Sequence, residues 1–343
     1  MKKLLRWIAR VALGLLALQA IFYAVLVAAN GHDDPLTPEA AHLLAPPTPP
    51  ASDAPNAYYV LLGLDAPDDE DVAVAGRRIR DERDRLFLRN PHNPHYPYKL
   101  FDPMGSIYWE KLRCSLKKGE DCVDFYLGEK VHMQQVMAQQ PVLQQRYQQF
   151  SQIPVFDEPP VRSEFEPVPP YSALTLAAEM RLMAAVFALD KGDLQTGADI
   201  LMQEIRVHRR LLANSTQLTT KMVSVGLLRL DYAVLSDALE HWPLLARQAA
   251  LTEAWQPLRE QEYDMREVVE SEAIFQANLM YWAVKLQFVI QRPLSLPNAT
   301  INTYTRWTNE NAQDFEGDAT TIDTRRQAYI TRQVKEKEQI AAS

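Results

Sequence analysis

His92 and His95 are the most closely spaced histidines of this 343-residue chain. With Asp102 they could offer two imidazoles and one carboxylate to a zinc ion. However, Pro94 separates the histidines, which excludes a helical pair on one face, and no further His or Cys stands at ligand spacing. The sequence therefore favours loop histidines with local hydrogen bonds over a metal site, and it predicts no cofactor.

Acidic and aromatic side chains gather on a long helix predicted from about residue 257 to residue 290. Glu267 and Glu270 are three residues apart and would share one face, as paired carboxylates do in acid–base sites. Tyr281 and Trp282 follow on the same helix, and exposed aromatic rings of this kind can stack on a glycan or hold a peptide. These four residues are the candidate ligand-binding set. The alternative is a solvated acidic face followed by a buried aromatic core.

The chain lacks the common catalytic signatures and has an acidic body. No GxSxG, HExxH, P-loop or GxGxxG motif occurs, and only 11 residues are glycine. The formal net charge is -8, and the charged residues before Asn30 are Lys2, Lys3, Arg6 and Arg10, so the remainder carries 32 basic and 44 acidic side chains. Binding to a phosphate backbone needs clustered Lys and Arg, so we expect no nucleic-acid partner.

The elements that position these side chains begin with an apolar N-terminal segment. Residues 11–29 contain no charge, and this is about the length of helix that crosses a bilayer. The basic residues before it predict a cytoplasmic N-terminus, with residues 31–343 in the bacterial periplasm. The alternative is a cleaved signal peptide with a small-residue site at 27–29, although the apolar region of a signal peptide is usually shorter.

Three alanines, Ala20, Ala24 and Ala28, recur every fourth residue in this segment. They would line one helix face, as small residues do where membrane helices pack closely. The pattern indicates self-association through the anchor, and the alternative is the ordinary alanine content of a membrane helix. The predicted partners are therefore the lipid bilayer, a second copy of the anchor and, for the periplasmic part, another envelope protein.

The two cysteines, Cys114 and Cys122, enclose the segment SLKKGED. In an oxidising compartment such a pair is expected to form a disulfide, and the turn-forming residues 118–121 would bring its two ends together. The spacing is not that of a CxxC redox motif. We therefore predict a structural disulfide that closes a small loop.

The region between residues 56 and 128 gives weaker signals. Residues 58–62 are apolar but too few to distinguish a strand from a buried helical turn. Residues 74–88 carry opposite charges three and four positions apart, which predicts a helix with a solvated, ion-paired face. Residues 90–112 are rich in proline and aromatic side chains and predict an irregular segment.

Helical periodicity dominates the chain after residue 129. A Lys-Gly-Asp break stands at 191–193. The core face of a later predicted helix is marked by Leu218, Met222, Val225, Tyr232, Leu235 and Leu239. The predicted fold class is all-α, an antiparallel helical bundle with solenoid-like hairpins and irregular proline-rich segments. The predicted regions are a cytoplasmic stub (1–10), a transmembrane anchor (11–29), a proline-rich tether (30–55), a mixed subdomain with the disulfide (56–170), the helical bundle (171–315) and a charged tail (316–343).

Several segments together carry a resemblance to a known group. They are Asn56 with YYVLLGLDA, LRCSLKKGEDC followed by LQQRYQQF, the stretch from GDLQTGADIL to TTKMVSVGLL, and LPNATINTYTRW. Over about residues 56–310 the chain resembles uncharacterised proteobacterial proteins with one N-terminal span and a large helical periplasmic region. The resemblance implies the bacterial compartment and supports the disulfide, and it implies no activity and no site residues.

From these features we expect a non-enzymatic, inner-membrane-anchored periplasmic protein. Its helical body would bind another envelope protein or serve as an assembly scaffold. The alternative is a periplasmic enzyme, or a binder of a small ligand or cell-wall fragment, that uses the carboxylates and aromatic rings of a cleft. Convergence of Glu267, Glu270 and the histidine loop in one pocket would favour the alternative.

Overall fold

The computed structural model describes residues 2–29, 33–46, 55–89, 113–116, 120–162, 166–285 and 296–312. Within these ranges the chain is mainly helical and contains no β-strand, which confirms the predicted all-α class. Two 3-10 helices, Pro243–Arg247 and Ala249–Trp255, accompany the α-helices. In chain order the α-helices are α1 (Lys2–Ala29), α2 (Pro38–Leu43), α3 (Ala57–Leu62), α4 (Val72–Arg89), α5 (Cys122–Gly128), α6 (Lys130–Gln139), α7 (Pro141–Gln152), α8 (Tyr171–Asp190), α9 (Leu194–Asn214), α10 (Leu218–His241), α11 (Glu260–Tyr263), α12 (Arg266–Lys285) and α13 (Pro297–Ala312).

The chain divides into two compact units. The first consists of Met1–Pro46, Arg162–Glu164 and Ala273–Ser343, and the second of Pro47–Val161 and Phe165–Glu272. The second unit contains the larger hydrophobic core, which includes side chains of α3 to α10.

Two consecutive hairpins, α8–α9 and α9–α10, form the centre of the second unit. The predicted break at 191–193 is the first turn: Gly192 has a φ of 81°, a conformation that glycine adopts without steric cost. Asp193 then accepts a hydrogen bond from the Thr196 N–H and caps α9. Because the turn is so short, α8 and α9 run antiparallel along each other.

A buried carboxylate from a distant segment caps α10. The side chain of Glu158 accepts hydrogen bonds from the N–H groups of Thr216 and Gln217 at 3.1 and 3.0 Å, and from the Thr220 hydroxyl at 2.6 Å. These groups stand at the positive end of the helix dipole, where a carboxylate is favourable. Burial nevertheless raises the pKa of Glu158 to about 7, against the effect of these hydrogen bonds.

The region of α3 and α4 is helical and tightly packed. Residues 58–62, which the sequence left between strand and helix, belong to α3. The two helices approach so closely that a Cβ atom on Gly76 would lie 1.8 Å from the carbonyl oxygen of Tyr59. The prediction of a solvated face on residues 74–88 is wrong in part, because Arg80 and Arg83 are buried and form ion pairs with buried Glu166.

The long helix predicted from residue 257 to 290 is interrupted. The short helix α11 ends at Tyr263, Asp264 has extended backbone, and α12 begins at Arg266. The physical cause is local, since the Asp264 carboxylate accepts hydrogen bonds from the backbone N–H and the guanidinium of Arg266. Aspartate competes in this way with helix continuation and instead starts a new helix.

The first unit contains a small apolar cluster. Ala40 and Leu43 of α2 pack there with Ala273, Ile274, Ala277 and Ile301. The predicted tether therefore includes a helix, which Thr37 caps by accepting the Ala40 N–H. The amide of Asn278 donates to the Leu43 carbonyl oxygen at 3.0 Å and fixes the end of this helix.

One described helix is long and apolar enough to cross a membrane by length and composition, and it is α8. Because 72% of that window is buried inside the protein, α8 has the character of a core helix. The apolar part of α1 is the shorter stretch Leu13–Ala28.

Candidate functional site

A buried polar cluster occupies the centre of the second unit. Glu204 and His208 are four residues apart on α9 and therefore share one face. The Nδ1 atom of His208 lies 2.6 Å from Asp231 Oδ2 on α10, and the Tyr147 hydroxyl donates to Glu204 Oε2 at 2.5 Å. The same hydroxyl lies 3.2 Å from His208 Nε2. A continuous hydrogen-bonded network thus links α7, α9 and α10.

A second set of buried oxygens lies close to this network. Glu179 on α8 is fully buried, and within the described residues neither of its carboxylate oxygens has a hydrogen-bond partner. Arg113 Nε approaches Glu179 Oε1 to 3.3 Å from a side chain that is 57% exposed. Burial raises the pKa of the Tyr126 hydroxyl, and the nearby carboxylates of Glu179 and Asp231 raise it further.

Burial shifts the pKa values of these acidic groups toward neutral pH. It raises the pKa of Glu204 to about 7 and the pKa of Glu179 to about 8, the latter against the opposing charge of Arg113. Burial also raises the pKa of Asp231, although His208 lowers it. For His208 burial opposes protonation, but Asp231 and Glu204 outweigh it and raise the pKa. The cluster can therefore bind and release protons near neutral pH.

An aspartate–histidine pair next to a hydroxyl is an arrangement that some enzymes use for general-base chemistry. In this protein His208, Glu204 and Tyr147 have no exposed surface, and Asp231 has none either. A substrate could not reach the imidazole in this conformation. In this conformation the pair therefore joins α9 to α10 inside the core.

The surface next to Arg113 carries a cavity of about 520 Å³. Arg113 and Leu116 form one side, and Gly226 and Arg229 of α10 form the other. Three apolar side chains of the same helix are exposed to solvent: Leu218, Met222 and Val225, with exposed fractions of 39%, 65% and 45%. The prediction of the core face of α10 is therefore wrong for these three residues. It is right for Leu235, which is buried, while Tyr232 and Leu239 are partly buried against the core. We call the exposed residues Leu218, Met222, Val225, Gly226 and Arg229 the α10 face.

The disulfide holds Arg113 at this place. Cys114 and Cys122 are joined, as predicted, with their Cα atoms 5.3 Å apart, and both side chains are buried in the main core. Asp121 starts α5 by accepting the Asp124 N–H, while the Cys122 N–H donates to Asp237 on α10 at 2.7 Å. The cross-link therefore ties the Arg113 segment to α10.

We expect a Cys114→Ser, Cys122→Ser double variant to lose roughly 2–3 kcal/mol of unfolding free energy, because the unfolded chain gains the entropy of an open eight-residue loop. Urea denaturation of the full-length protein, followed by circular dichroism, measures this change. The wild type treated with a reductant serves as the comparison and should reach the same midpoint. A midpoint equal to that of the oxidised wild type would contradict the stabilising role.

The candidate ligand-binding residues from the sequence lie in different units. Glu267 and Glu270 are exposed on the first turns of α12, in the second unit. Tyr281 and Trp282 belong to the first unit, where they are partly buried and their rings meet edge to face at 5.6 Å. Neither glutamate is in the buried cluster.

The described side chains do not test the candidate metal site or the candidate anchor face that the sequence suggests. His92 and His95 lie outside the described residues. Ala20, Ala24 and Ala28 are exposed along α1, and their role as an association face stays a prediction.

One group of three side chains has the composition of a metal site. His241, Asp121 and Asp124 offer ligand atoms that lie within 4.8 Å of one another at the protein surface. His241 Nε2 is 2.9 Å from Asp121 Oδ2, and this hydrogen bond raises the pKa of the imidazole. Because Asp121 already caps α5, the helix start and the imidazole contact account for the position of its carboxylate.

The sequence prediction missed the buried cluster because it treats charged residues as solvent-facing. A signal was nevertheless present in α8, where Glu179 interrupts an apolar run that covers most of the helix. His208 and Asp231 likewise stand on the buried sides of α9 and α10. A charged residue in an apolar helix face needs a partner, and such positions are candidates for a polar network.

Comparisons with protein-family models, with curated proteins and with solved structures found no match for this chain.

Proposed function

We propose that this chain is a single-span, membrane-anchored helical protein whose periplasmic body binds another protein of the bacterial envelope through the α10 face. The observation that carries the proposal is the exposed apolar stripe on α10 beside the Arg113 cavity. Catalysis is not part of the proposal, because the histidine–aspartate pair is buried.

The apolar surface of α1 supports the membrane anchor. Seven of its large apolar side chains between residues 13 and 25 are 60–67% exposed, a surface that needs an apolar environment. Four basic residues precede the apolar stretch, which favours a cytoplasmic N-terminus. The exposed side chains are Leu13, Leu15, Leu16, Leu18, Ile21, Phe22 and Val25.

The spacing of the α10 face supports protein binding. Leu218, Met222 and Val225 follow at intervals of four and three residues and therefore form one stripe. Gly226 adds no side chain, so a partner can approach the helix backbone there. Single exposed apolar residues are ordinary on a protein surface, but a continuous stripe beside a cavity is typical of an interface.

The charges at the end of the stripe indicate what the partner carries. Arg229 forms no hydrogen bond or ion pair with any residue that the structure describes, and Arg113 stands across the cavity from it. Two arginines next to an apolar stripe complement an amphipathic segment with an acidic residue at one end. An acidic amphipathic helix of another envelope protein is therefore the partner that fits.

We expect a Met222→Glu variant to lose at least tenfold in affinity for its partner, because a charge in the centre of an apolar interface is left without compensation. Photo-cross-linking from position 222 in intact cells identifies the partner, and the affinity is then measured with the purified pair. Val131→Glu is the matched control, since Val131 is 72% exposed on α6 of the same unit.

Two results would contradict the proposal. The first is equal affinity of the Met222→Glu and Val131→Glu variants for the cross-linked protein. The second is a cross-linked product that contains only two copies of this chain, which would make the α10 face a self-association surface.

A further inference from the structure

A second cavity, of about 630 Å³, lies in the second unit where α9 meets the segment before α11. Four of the residues around it are arginines: Arg206, Arg209, Arg210 and Arg259. One carboxylate, Glu253, lines it as well, and Glu262 stands behind Arg209. Four guanidinium groups therefore face two carboxylates, and the site has an excess of positive charge in a body that is acidic overall.

The arginines have different tasks. Arg209 makes four hydrogen bonds: it forms a fork with both oxygens of Glu262 at 2.7 Å and donates to the carbonyl oxygens of Gln256 and Pro257. It builds the wall of the cavity. Arg206 pairs with Glu253 at 2.7 Å, but both side chains are about half exposed, and a pair of this kind is worth at most about 1 kcal/mol.

Arg210 has no carboxylate partner within the described residues. Its terminal nitrogens make long hydrogen bonds to the carbonyl oxygens of Phe150 and Ser151, at 3.2 and 3.3 Å, and its Nε atom is buried with no hydrogen-bond partner there. Burial lowers the pKa of Arg210, so the two long hydrogen bonds and the Phe150 ring, 5.9 Å from the guanidinium carbon, offset the desolvation of the charged form only in part. An anion in the cavity would offset the remaining cost.

The remaining lining limits the kind of anion. Pro154, Pro257 and Leu258 supply apolar surface, and Leu258 is 45% exposed. The volume lies within the range of sites for small organic ligands. A guanidinium fork matches the geometry of a phosphate or carboxylate group.

We propose that this arginine-lined cavity binds a small organic oxyanion, with Arg210 and Arg206 on the phosphate or carboxylate group and the proline–leucine wall on its apolar part. The site is separate from the α10 face and does not depend on a protein partner. Glu253 competes with the ligand for Arg206 and so moderates the affinity.

Isothermal titration calorimetry of the full-length protein in an uncharged detergent tests this, with phenyl phosphate, inorganic phosphate and phenol as probes at constant ionic strength. We expect phenyl phosphate to bind more tightly than inorganic phosphate, and phenol not to bind. Arg210→Gln should weaken phenyl phosphate binding at least tenfold. Glu253→Gln should strengthen it up to about fivefold, because Arg206 is released from its ion pair.

The Glu253→Gln variant tests the contact with Arg206, since a ligand that binds outside this cavity predicts no gain in affinity there. Arg247→Gln, which removes an exposed arginine of the same unit that does not line this cavity, is the matched control and should bind like the wild type. The proposal is overturned if Arg210→Gln binds unchanged while its fold is intact, or if Arg247→Gln abolishes binding. Binding to anionic phosphatidylglycerol vesicles alone, without binding of phenyl phosphate, would overturn the assignment to a free small molecule.

Discussion

A Glu179→Gln variant should be more stable than the wild type at pH 8.5, by on the order of 2–4 kcal/mol, and about equally stable at pH 5. Glu179 is fully buried on α8, and its oxygens have Arg113 as their ionic partner within the described residues. Ionising this carboxylate in the core costs free energy that the neutral amide of glutamine does not incur.

The sign of this pH dependence follows from the raised pKa of Glu179. Burial raises that pKa to about 8, compared with 4.5 for an exposed glutamate. The folded protein binds this proton more tightly than the unfolded chain. The stabilising contribution is therefore complete below about pH 4.5 and is lost as the pH rises through about 8. Glu204, with a pKa of about 7, and His208, whose pKa is also raised, change stability in the same direction.

Thermal unfolding of the full-length protein between pH 5 and 8.5 measures this effect. We expect the melting temperature of the wild type to fall with rising pH, and the variant to exceed it by roughly 5–10 °C at pH 8.5. Glu240→Gln on α10 replaces an exposed glutamate and should follow the wild-type curve. Parallel curves for Glu179→Gln and the wild type would show that Glu179 does not bind a proton in the folded state at neutral pH.

The helical hairpins were predictable because their signals are local. The period of apolar residues defines α9, and the turn before it contains Gly192 and the capping residue Asp193. The break at Asp264 could also have been predicted, since aspartate is a common N-cap residue. The sequence nevertheless predicted one continuous helix there, because the apolar and acidic residues of α12 follow a helical period.

Periodicity could not predict the orientation of α10. It also could not predict which residues form the buried polar cluster and the arginine-lined cavity. Met222 and Val225 share a helix face with Leu218, but only packing against α9 shows that this face stays exposed. Likewise, Arg209 and Glu262 are 53 residues apart, and nothing in either local sequence shows that they meet. Partners of buried charges are selected by tertiary structure, so a single sequence cannot identify them.

Arg209→Met should lower the unfolding free energy by about 3–5 kcal/mol, which is the cost of removing one partner from a buried ion pair. The Glu262 side chain is fully buried and would keep a charge without its fork, and the carbonyl oxygens of Gln256 and Pro257 would lose their donor. Urea denaturation gives the stability, and calorimetry with phenyl phosphate should show that the arginine-lined cavity no longer binds.

Two further variants separate charge from geometry at this position. Arg209→Lys keeps the charge but cannot form a fork, so its stability should lie between those of the wild type and Arg209→Met. In Arg209→Met, Glu262 keeps only its contacts with Arg259. The double variant Arg209→Met, Glu262→Gln removes this buried charge and should recover part of the loss, as expected for residues in direct contact. The double variant could instead lose as much unfolding free energy as the single variants Arg209→Met and Glu262→Gln lose together. In that case the segment before α11 is held mainly by apolar packing. The cavity would then owe its shape to Pro257 and Leu258 and not to the ion pair.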